Sequence, residues 1–177
     1  MQGHEILLGI TGGIAAFKAA MLASKLVQDG AGVSVIMTRS ATELIGPRTF
    51  EALTGRSVRT EVFDSTKFHT HIELAREADL LCIAPATANM LGKMACGIAD
   101  DLLSTVYLSF RGPVIVAPAM NCGMWEKKSV QRNVSQLQSD GVVFVGPESG
   151  RLSCGEVGLG RMAEPEQIMQ AIQTAWA

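Results

Sequence analysis

At 177 residues, 47% of them hydrophobic, the chain is long enough for one domain with a full-sized core. Its 15 basic and 17 acidic residues give a net charge of -2 with no basic run, and it has a single Tyr; this excludes the footprint and stacking platform of a nucleic-acid binder. No apolar run reaches membrane-span length and the start MQGHEILLG lacks the pattern of a secretory signal, so a cytoplasmic protein with no membrane partner is expected.

Cys82, Cys96, Cys122 and Cys154 form no CxxC pair and no metal-like cluster with the three histidines, which predicts a reduced setting and no metal. Mean hydropathy of +0.24 is high for a soluble monomer, and the surplus apolar surface predicts an oligomer. No repeat, low-complexity tract or linker divides the chain, so residues 1–177 read as a single domain.

Residues 5–11 (EILLGIT) read as a buried strand, Gly12 and Gly13 as a tight turn, and residues 14–28 as a helix. In that arrangement backbone N–H groups and the positive end of a helix face an anion. The glycines stand at 9, 12 and 13 rather than as GxGxxG, and a Gly-Gly pair also simply makes turns. Gly32–Met37 is the second strand. A NAD site wants Asp or Glu at its end, whereas this chain offers Thr38, Arg39 and Ser40. Hydroxyls and a guanidinium suit a lone phosphate or a polyol, and FMN carries both; Thr38 or Ser40 serves equally as a helix N-cap.

Residues 41–53 predict one or two short helices around Pro47, residues 58–60 a minor strand, and residues 63–70 an irregular polar stretch. HIELAREAD (71–79) reads as a helix. His71 at its start meets the positive dipole end, which favours a neutral imidazole able to act as acid or base near pH 7; a capping or exposed histidine is the alternative.

Residues 80–84 (LLCIA) form a third buried strand ending at Pro85, and PATANM (85–90) opens a helix running toward Gly97. Residues 101–108 are a further helix. VIVAPAMN (114–121) is a fourth strand, stopped at Pro118 because proline lacks the N–H of a continuing ladder. Two strands thus end in Ala-Pro-Ala with an Asn close behind. Small residues let a flat ring approach the backbone, Thr87 and Asn89 supply donors, and Met120 and Asn121 lie beyond the strand's carboxyl end, where ligands of such sheets bind. A proline-ended strand with an Asn helix cap accounts for the second turn as well.

Residues 126–140 predict a helix ended by Gly141, and residues 142–145 a fifth buried strand. Strands alternating with helices across short loops imply right-handed parallel crossovers, hence an α/β, Rossmann-like or flavodoxin-like three-layer fold. PESGRLSCGEVGLGRM (147–162) reads as a long glycine-dense loop able to close over a ligand, with Cys154 in its middle; residues 165–176 are a last amphipathic helix. Cys82 and Cys96 fall on apolar faces and are expected in the core. Cys122 has no assigned place. Arg151 and Arg161 are candidates for a substrate phosphate or ordinary surface arginines.

From GITGGIAAFK to GRMAEP the chain resembles the homo-oligomeric flavin-containing cysteine decarboxylases. The markers are the histidine in HIEL, the PAMN turn and CGEVGLGRM with its Cys. By position, the resemblance implies that His71 is the active-site histidine, that Asn121 binds the substrate carboxylate beside Met120 and Arg161, and that Cys154 is a proton donor. It implies FMN held by Gly12, Gly13, Thr38, Ser40, Thr87, Ala88, Asn89 and Ala119, and trimers or assemblies of trimers in which FMN and His71 meet at a subunit interface. The implied reaction is decarboxylation of 4′-phosphopantothenoylcysteine to 4′-phosphopantetheine in coenzyme A biosynthesis, through a thioaldehyde and an enethiolate.

The chemistry suits such residues. Losing CO₂ from a cysteine amide leaves a carbanion with no sink, and oxidising the thiol to a thioaldehyde, with FMN taking the hydride, creates one. A neutral amide avoids over-stabilising the ground-state carboxylate as Arg would. An ordinary thiol, with a pKa of about 8.5, still carries its proton near pH 7. The sequence departs from the family pattern at PATANM, where Met90 replaces a hydroxyl, and at Thr11, where serine is common. A peptidyl-cysteine decarboxylase of peptide-antibiotic maturation, which stops at the enethiol and needs no reducing Cys, and a flavin-binding regulatory subunit are the alternatives. A cytidine-nucleotide-using ligase domain follows in many bacteria; with the chain ending at Ala177, that activity is not expected here.

Overall fold

The computed structural model of the chain describes residues 1–62 and 70–176. Strand β1 (Glu5–Ile10) leads into helix α1 (Ala16–Gln28), and β2 (Gly32–Met37) into two short helices, α2 (Arg39–Thr42) and α3 (Pro47–Thr54). Helix α4 (Thr70–Glu77) precedes β3 (Leu80–Ala86), which is followed by α5 (Ala88–Cys96) and α6 (Leu102–Ser109). Strand β4 (Val114–Pro118) runs into α7 (Cys122–Trp125), α8 (Lys128–Ser139) and β5 (Val143–Phe144). The strands β6 (Glu148–Arg151) and β7 (Val157–Arg161) and helix α9 (Pro165–Thr174) complete the order.

The five strands β1 to β5 are parallel and stand in the order β2-β1-β3-β4-β5, a flavodoxin-like α/β fold as the sequence predicts. Side chains alternate across each strand and both faces are covered, as parallel sheets require. Ile6, Leu8 and Ile10 pack toward Leu22 and Leu26 of α1 and Ile168 and Ile172 of α9. Leu7, Leu81 and Ile83 face the opposite layer, built from Leu91 of α5, Leu103 of α6 and Leu137 of α8.

Several boundaries differ from expectation, each for a physical reason. β3 passes Pro85 and ends at Ala86, through a register shift between Ile83 and Ala86 that lets Ala86 still pair with Pro118. The strand expected at 142–145 shrinks to Val143–Phe144, because it sits at the sheet edge with β4 as its neighbour; Val143 is 47% exposed. The helix expected at 126–140 is α8, which starts only at Lys128 because Lys127 takes an extended φ of -60° and ψ of 131°, and the short α7 before it was not expected. Helix α1 starts at Ala16, not 14, and the minor strand at 58–60 is a single bridge between Ile36 and Arg59. Residues 63–69 of the irregular stretch lie outside the described residues, and Thr70 already opens α4. Cys82 is core as expected, whereas Cys96, the last residue of α5, is exposed.

The largest correction is the stretch 147–162, which is an antiparallel hairpin of β6 and β7 rather than a loop. Two of its glycines, Gly158 and Gly160, serve close approach. A Cβ on Gly160 would lie 2.2 Å from the Met120 carbonyl oxygen, and its φ of +153° is one that other residues avoid. The Met120 N–H donates to the Gly160 carbonyl at 2.9 Å, which pins β7 against the turn after β4.

Candidate active site

Chain order reverses between β1 and β3, and open α/β sheets bind ligands beyond the carboxyl ends of their strands at such a point. Here the turns after β1 and β3 are tied together through Thr11, which is 2% exposed. Its hydroxyl donates to the Pro85 carbonyl at 2.6 Å and accepts from the Thr87 N–H at 3.1 Å. Serine could make the same two bonds, so the threonine at this position preserves the joint.

Above that joint lies a cavity of about 630 Å³, within the roughly 300–1,000 Å³ typical of cofactor and small-ligand sites. Gly12 and Gly13 form one wall, Thr87, Ala88 and Ala119 the floor, Met120 and Asn121 the far side, and the hairpin tip with Arg151 and Cys154 the lip. A Cβ on Gly12 would sit 2.4 Å from the Ser40 Cβ, so the turn after β1 can lie this close to α2 only as glycine. Helix α1 begins just past the turn with no side-chain cap and no acidic residue in its first turn. Ala16 and Lys18 N–H donate to the Gly13 and Ala15 carbonyls at 2.9 Å each, so it is the positive end of the helix, left without an acidic neighbour, that favours an anion here.

Asn121 has two jobs at its two ends. Its Oδ1 accepts from the Gly123 N–H at 2.8 Å and so caps α7. That fixes the amide orientation, leaving Nδ2 as the donor toward the hairpin: 2.6 Å to Glu156 Oε2 and 3.4 Å to Cys154 Sγ. Cys154 and Cys122 each place a thiol on the same Glu156 Oε2, at 3.6 and 3.4 Å. Hydrogen bonds from Asn121, Cys122 and Cys154 hold the Glu156 carboxyl below the usual range. The bond to Glu156 in turn pushes the Cys122 thiol up.

The hairpin's far end is anchored to α1. Lys18 Nζ donates to the Met162 carbonyl at 3.0 Å and to Glu164 Oε1 at 2.9 Å, and Arg161 pairs with the same carboxylate. Lys18 and then Arg161 hold the Glu164 carboxyl down. Arg161 Nε is buried and has no hydrogen-bond partner among the described residues.

Of the residues singled out from the sequence, Gly12, Gly13, Thr87, Ala88, Ala119, Met120, Asn121, Cys154, Arg151 and Arg161 converge on this cavity. Thr38, Ser40, Asn89 and His71 are not among the described residues that line it. The Thr38 hydroxyl accepts from the Ala41 N–H at 3.3 Å as the cap of α2, Ser40 abuts Gly12, and Asn89 is exposed. His71 is the second residue of α4, which packs Leu74 and Ala75 against the other face of the sheet. Met90 is 1% exposed in that same layer, so the departure from the family pattern there places a core side chain. Two site residues were not anticipated, Glu156 and Lys18. Only the CGE spacing, with the acid two residues beyond Cys154, hinted at the first.

A parallel sheet with a glycine-walled cavity at its switch point defines a flavodoxin-like ligand-binding domain. The chain belongs to the Flavoprotein family, whose profile matches residues 1–176. It is 47% identical over 179 residues to the coenzyme A biosynthesis bifunctional protein of Bacillus subtilis (strain 168), covering 100% of this chain and 44% of that protein. The chain thus spans less than half the length of the curated relatives it matches. Among solved structures, a PPC decarboxylase mutant complexed with pantothenoylaminoethenethiol matches with a TM-score of 0.86 and 31% identity, over 98% of each chain. The FMN-dependent cysteine decarboxylase SpaF matches with a TM-score of 0.84 and 34% identity, over 99% of this chain and 98% of its own.

Proposed function

We propose that this chain is an FMN-dependent decarboxylase that converts 4′-phosphopantothenoylcysteine to 4′-phosphopantetheine. The observation that carries the reading is the placement of the Cys154 thiol 3.4 Å from the Asn121 amide at the lip of the cavity. FMN fits the glycine wall, the small-residue floor and the uncapped start of α1, with Gly12, Gly13, Thr87, Ala88 and Ala119 holding it and Thr38, Ser40 and Asn89 at the periphery. When bound, it supplies the two-electron acceptor that turns the substrate's thiol side chain into a thioaldehyde and later returns the same two electrons.

Asn121 Nδ2 holds the substrate carboxylate by a neutral hydrogen bond that weakens as the charge disperses, so CO₂ leaves without a strong ground-state trap. The C–C bond electrons move into the thioaldehyde and give the enethiolate. As the carbon–carbon double bond is reduced, the Cys154 S–H bond breaks and its proton goes to carbon; water then reprotonates the thiolate. Arg161, with its unpartnered buried Nε, and Arg151 take the substrate phosphate.

The working form is an assembly built on trimers in the cytoplasm, in which His71 of one subunit reaches the cavity of a neighbour. Ile14 in the turn before α1 and Phe17 and Met21 on it, 61, 55 and 49% exposed, are the surface such a neighbour would cover. Among the described residues no helix is long and apolar enough to cross a membrane.

The test is to supply phosphopantothenoylcysteine to the FMN-loaded protein and weigh the product. Loss of CO₂ alone is expected. A product lacking two further hydrogens would assign the enethiol-forming, peptidyl-cysteine type of chemistry instead, and FMN binding with no turnover would favour a regulatory subunit. A protein that bound no FMN would remove the reading altogether.

A further inference from the structure

Asn121 has no spare donor for a substrate. Its Oδ1 is taken by the Gly123 N–H, so the amide cannot turn over, and its Nδ2 already faces Glu156 and Cys154. We propose that Glu156 is an internal competitor for the Asn121 amide, so that substrate binds by exchanging one carboxylate for another and Glu156 determines the preference for carboxylate-bearing over carboxylate-free ligands. The proposal rests on the reading above, in which Asn121 binds the substrate carboxylate.

Three features make the exchange physical. The Glu156 side chain is exposed, whereas its backbone carbonyl accepts from the Leu152 N–H at 2.8 Å, so the side chain can leave the amide while the hairpin tip keeps its shape. Its hydrogen bonds keep it ionised at neutral pH, and two carboxylates cannot share one amide without repulsion. Glu156 also lies two residues past Cys154, and one oxygen, Oε2, accepts from both Asn121 and Cys154.

That last contact gives the exchange an order. While the substrate carboxylate holds the amide, Glu156 is displaced. Once CO₂ has gone, the ligand carries no carboxylate and Glu156 returns to Nδ2, where its Oε2 again accepts from the Cys154 thiol and turns that side chain toward Asn121 with the hairpin backbone unmoved. The proton donor is therefore seated after carbon dioxide has left, when the carbon needs a proton.

The decisive comparison uses two thiol-free ligands on the FMN-loaded protein. Phosphopantothenoylalanine keeps the carboxylate, and phosphopantothenoyl ethylamide is the same molecule without it. Calorimetric titration of the unsubstituted chain and of Glu156→Gln, which removes the charge with little change of shape, gives the affinity ratio of the two ligands in each protein. Glu156→Gln is expected to raise the ratio in favour of the alanine compound about tenfold, or about 1.4 kcal/mol, with the ethylamide affinity moved by less than about twofold. A ratio equal in the two proteins, with both ligands bound, would overturn the role of Glu156 and leave the enzymatic reading standing. If neither ligand bound the unsubstituted holoprotein, the substrate assignment would fall and this proposal with it.

Discussion

Gly160→Ala tests whether the hairpin is held by close approach to the turn after β4 or merely lies near it. The added Cβ would be 2.2 Å from the Met120 carbonyl oxygen, closer than the 3.0 Å below which real Cβ contacts essentially never fall, so the two backbones must part by about 1 Å. The φ of +153° adds strain of order 1–3 kcal/mol for any residue but glycine. Taking about 2 kcal/mol in all, a chain of this size should lose roughly 4–8 °C in Tm. Because Asn121 follows Met120 and Cys154 rides on the hairpin, the same shift should cost on the order of 100-fold in kcat/KM, as a 1 Å misplacement of reacting groups does. Thermal scans of the FMN-loaded protein and steady-state decarboxylation read the two effects. Gly155→Ala is the control: its φ is +92° but nothing lies within 4 Å of the new Cβ. It should cost only about 1–2 kcal/mol of backbone strain and leave Met120 and Asn121 in place. Unchanged turnover in Gly160→Ala, or equal catalytic losses in the two variants, would refute the reasoning.

Other substitutions probe the remaining joints. Thr11→Val removes the buried hydroxyl that accepts from Thr87 and donates to Pro85, and should cost about 1–3 kcal/mol in urea unfolding; Thr11→Ser should stay within about 1 kcal/mol of the parent. Cys154→Ser should stall the reaction at the enethiol while CO₂ is still released, and normal phosphopantetheine from that variant would end the proton-donor role. Glu164 has a lowered folded-state pKa, caused first by the Lys18 bond, so its contribution is fully present above the ordinary glutamate value of about 4.3 and is lost as pH falls through the lowered folded value. The Tm gap between the parent and Glu164→Gln should therefore be widest near neutrality and close as pH drops below 4; a gap independent of pH would contradict the clamp.

The sheet was legible because β1 to β4 are short, largely buried apolar runs, and such runs are local. β1, β2 and β4 stand within a residue or so of where the pattern puts them. The hairpin was not legible, and the reason is physical. Its glycines read as chain flexibility, whereas the need for glycine at 160 comes from the Met120 carbonyl, 40 positions earlier in the sequence. The same distance hid Glu156, whose amide partner lies 35 residues before it. Cys96 was misplaced because an apolar helix face does not say where the helix ends, and the last residue of α5 has already turned toward solvent. Thr38 caps α2, one of the two roles its sequence position suggested, and is not itself among the residues lining the cavity.

Asn121 both caps α7 and lines the cavity, and this bears on the chemistry. A residue that only capped α7 could be Asp or Ser. Either would keep the bond to Gly123, but Asp would set a second carboxylate against Glu156 and Ser would not span the 2.6 Å contact at the far end of the amide. Only an amide offers a fixed acceptor to the helix and a neutral donor to the hairpin at once. The donor end meets a thiol as well as a carboxylate, so the amide that would hold a departing CO₂ and the thiol that would deliver the final proton are within 3.4 Å of each other. An enzyme that stopped at the enethiol would have no use for a thiol there. The position of Cys154 therefore favours the complete, redox-neutral reaction over the oxidative one.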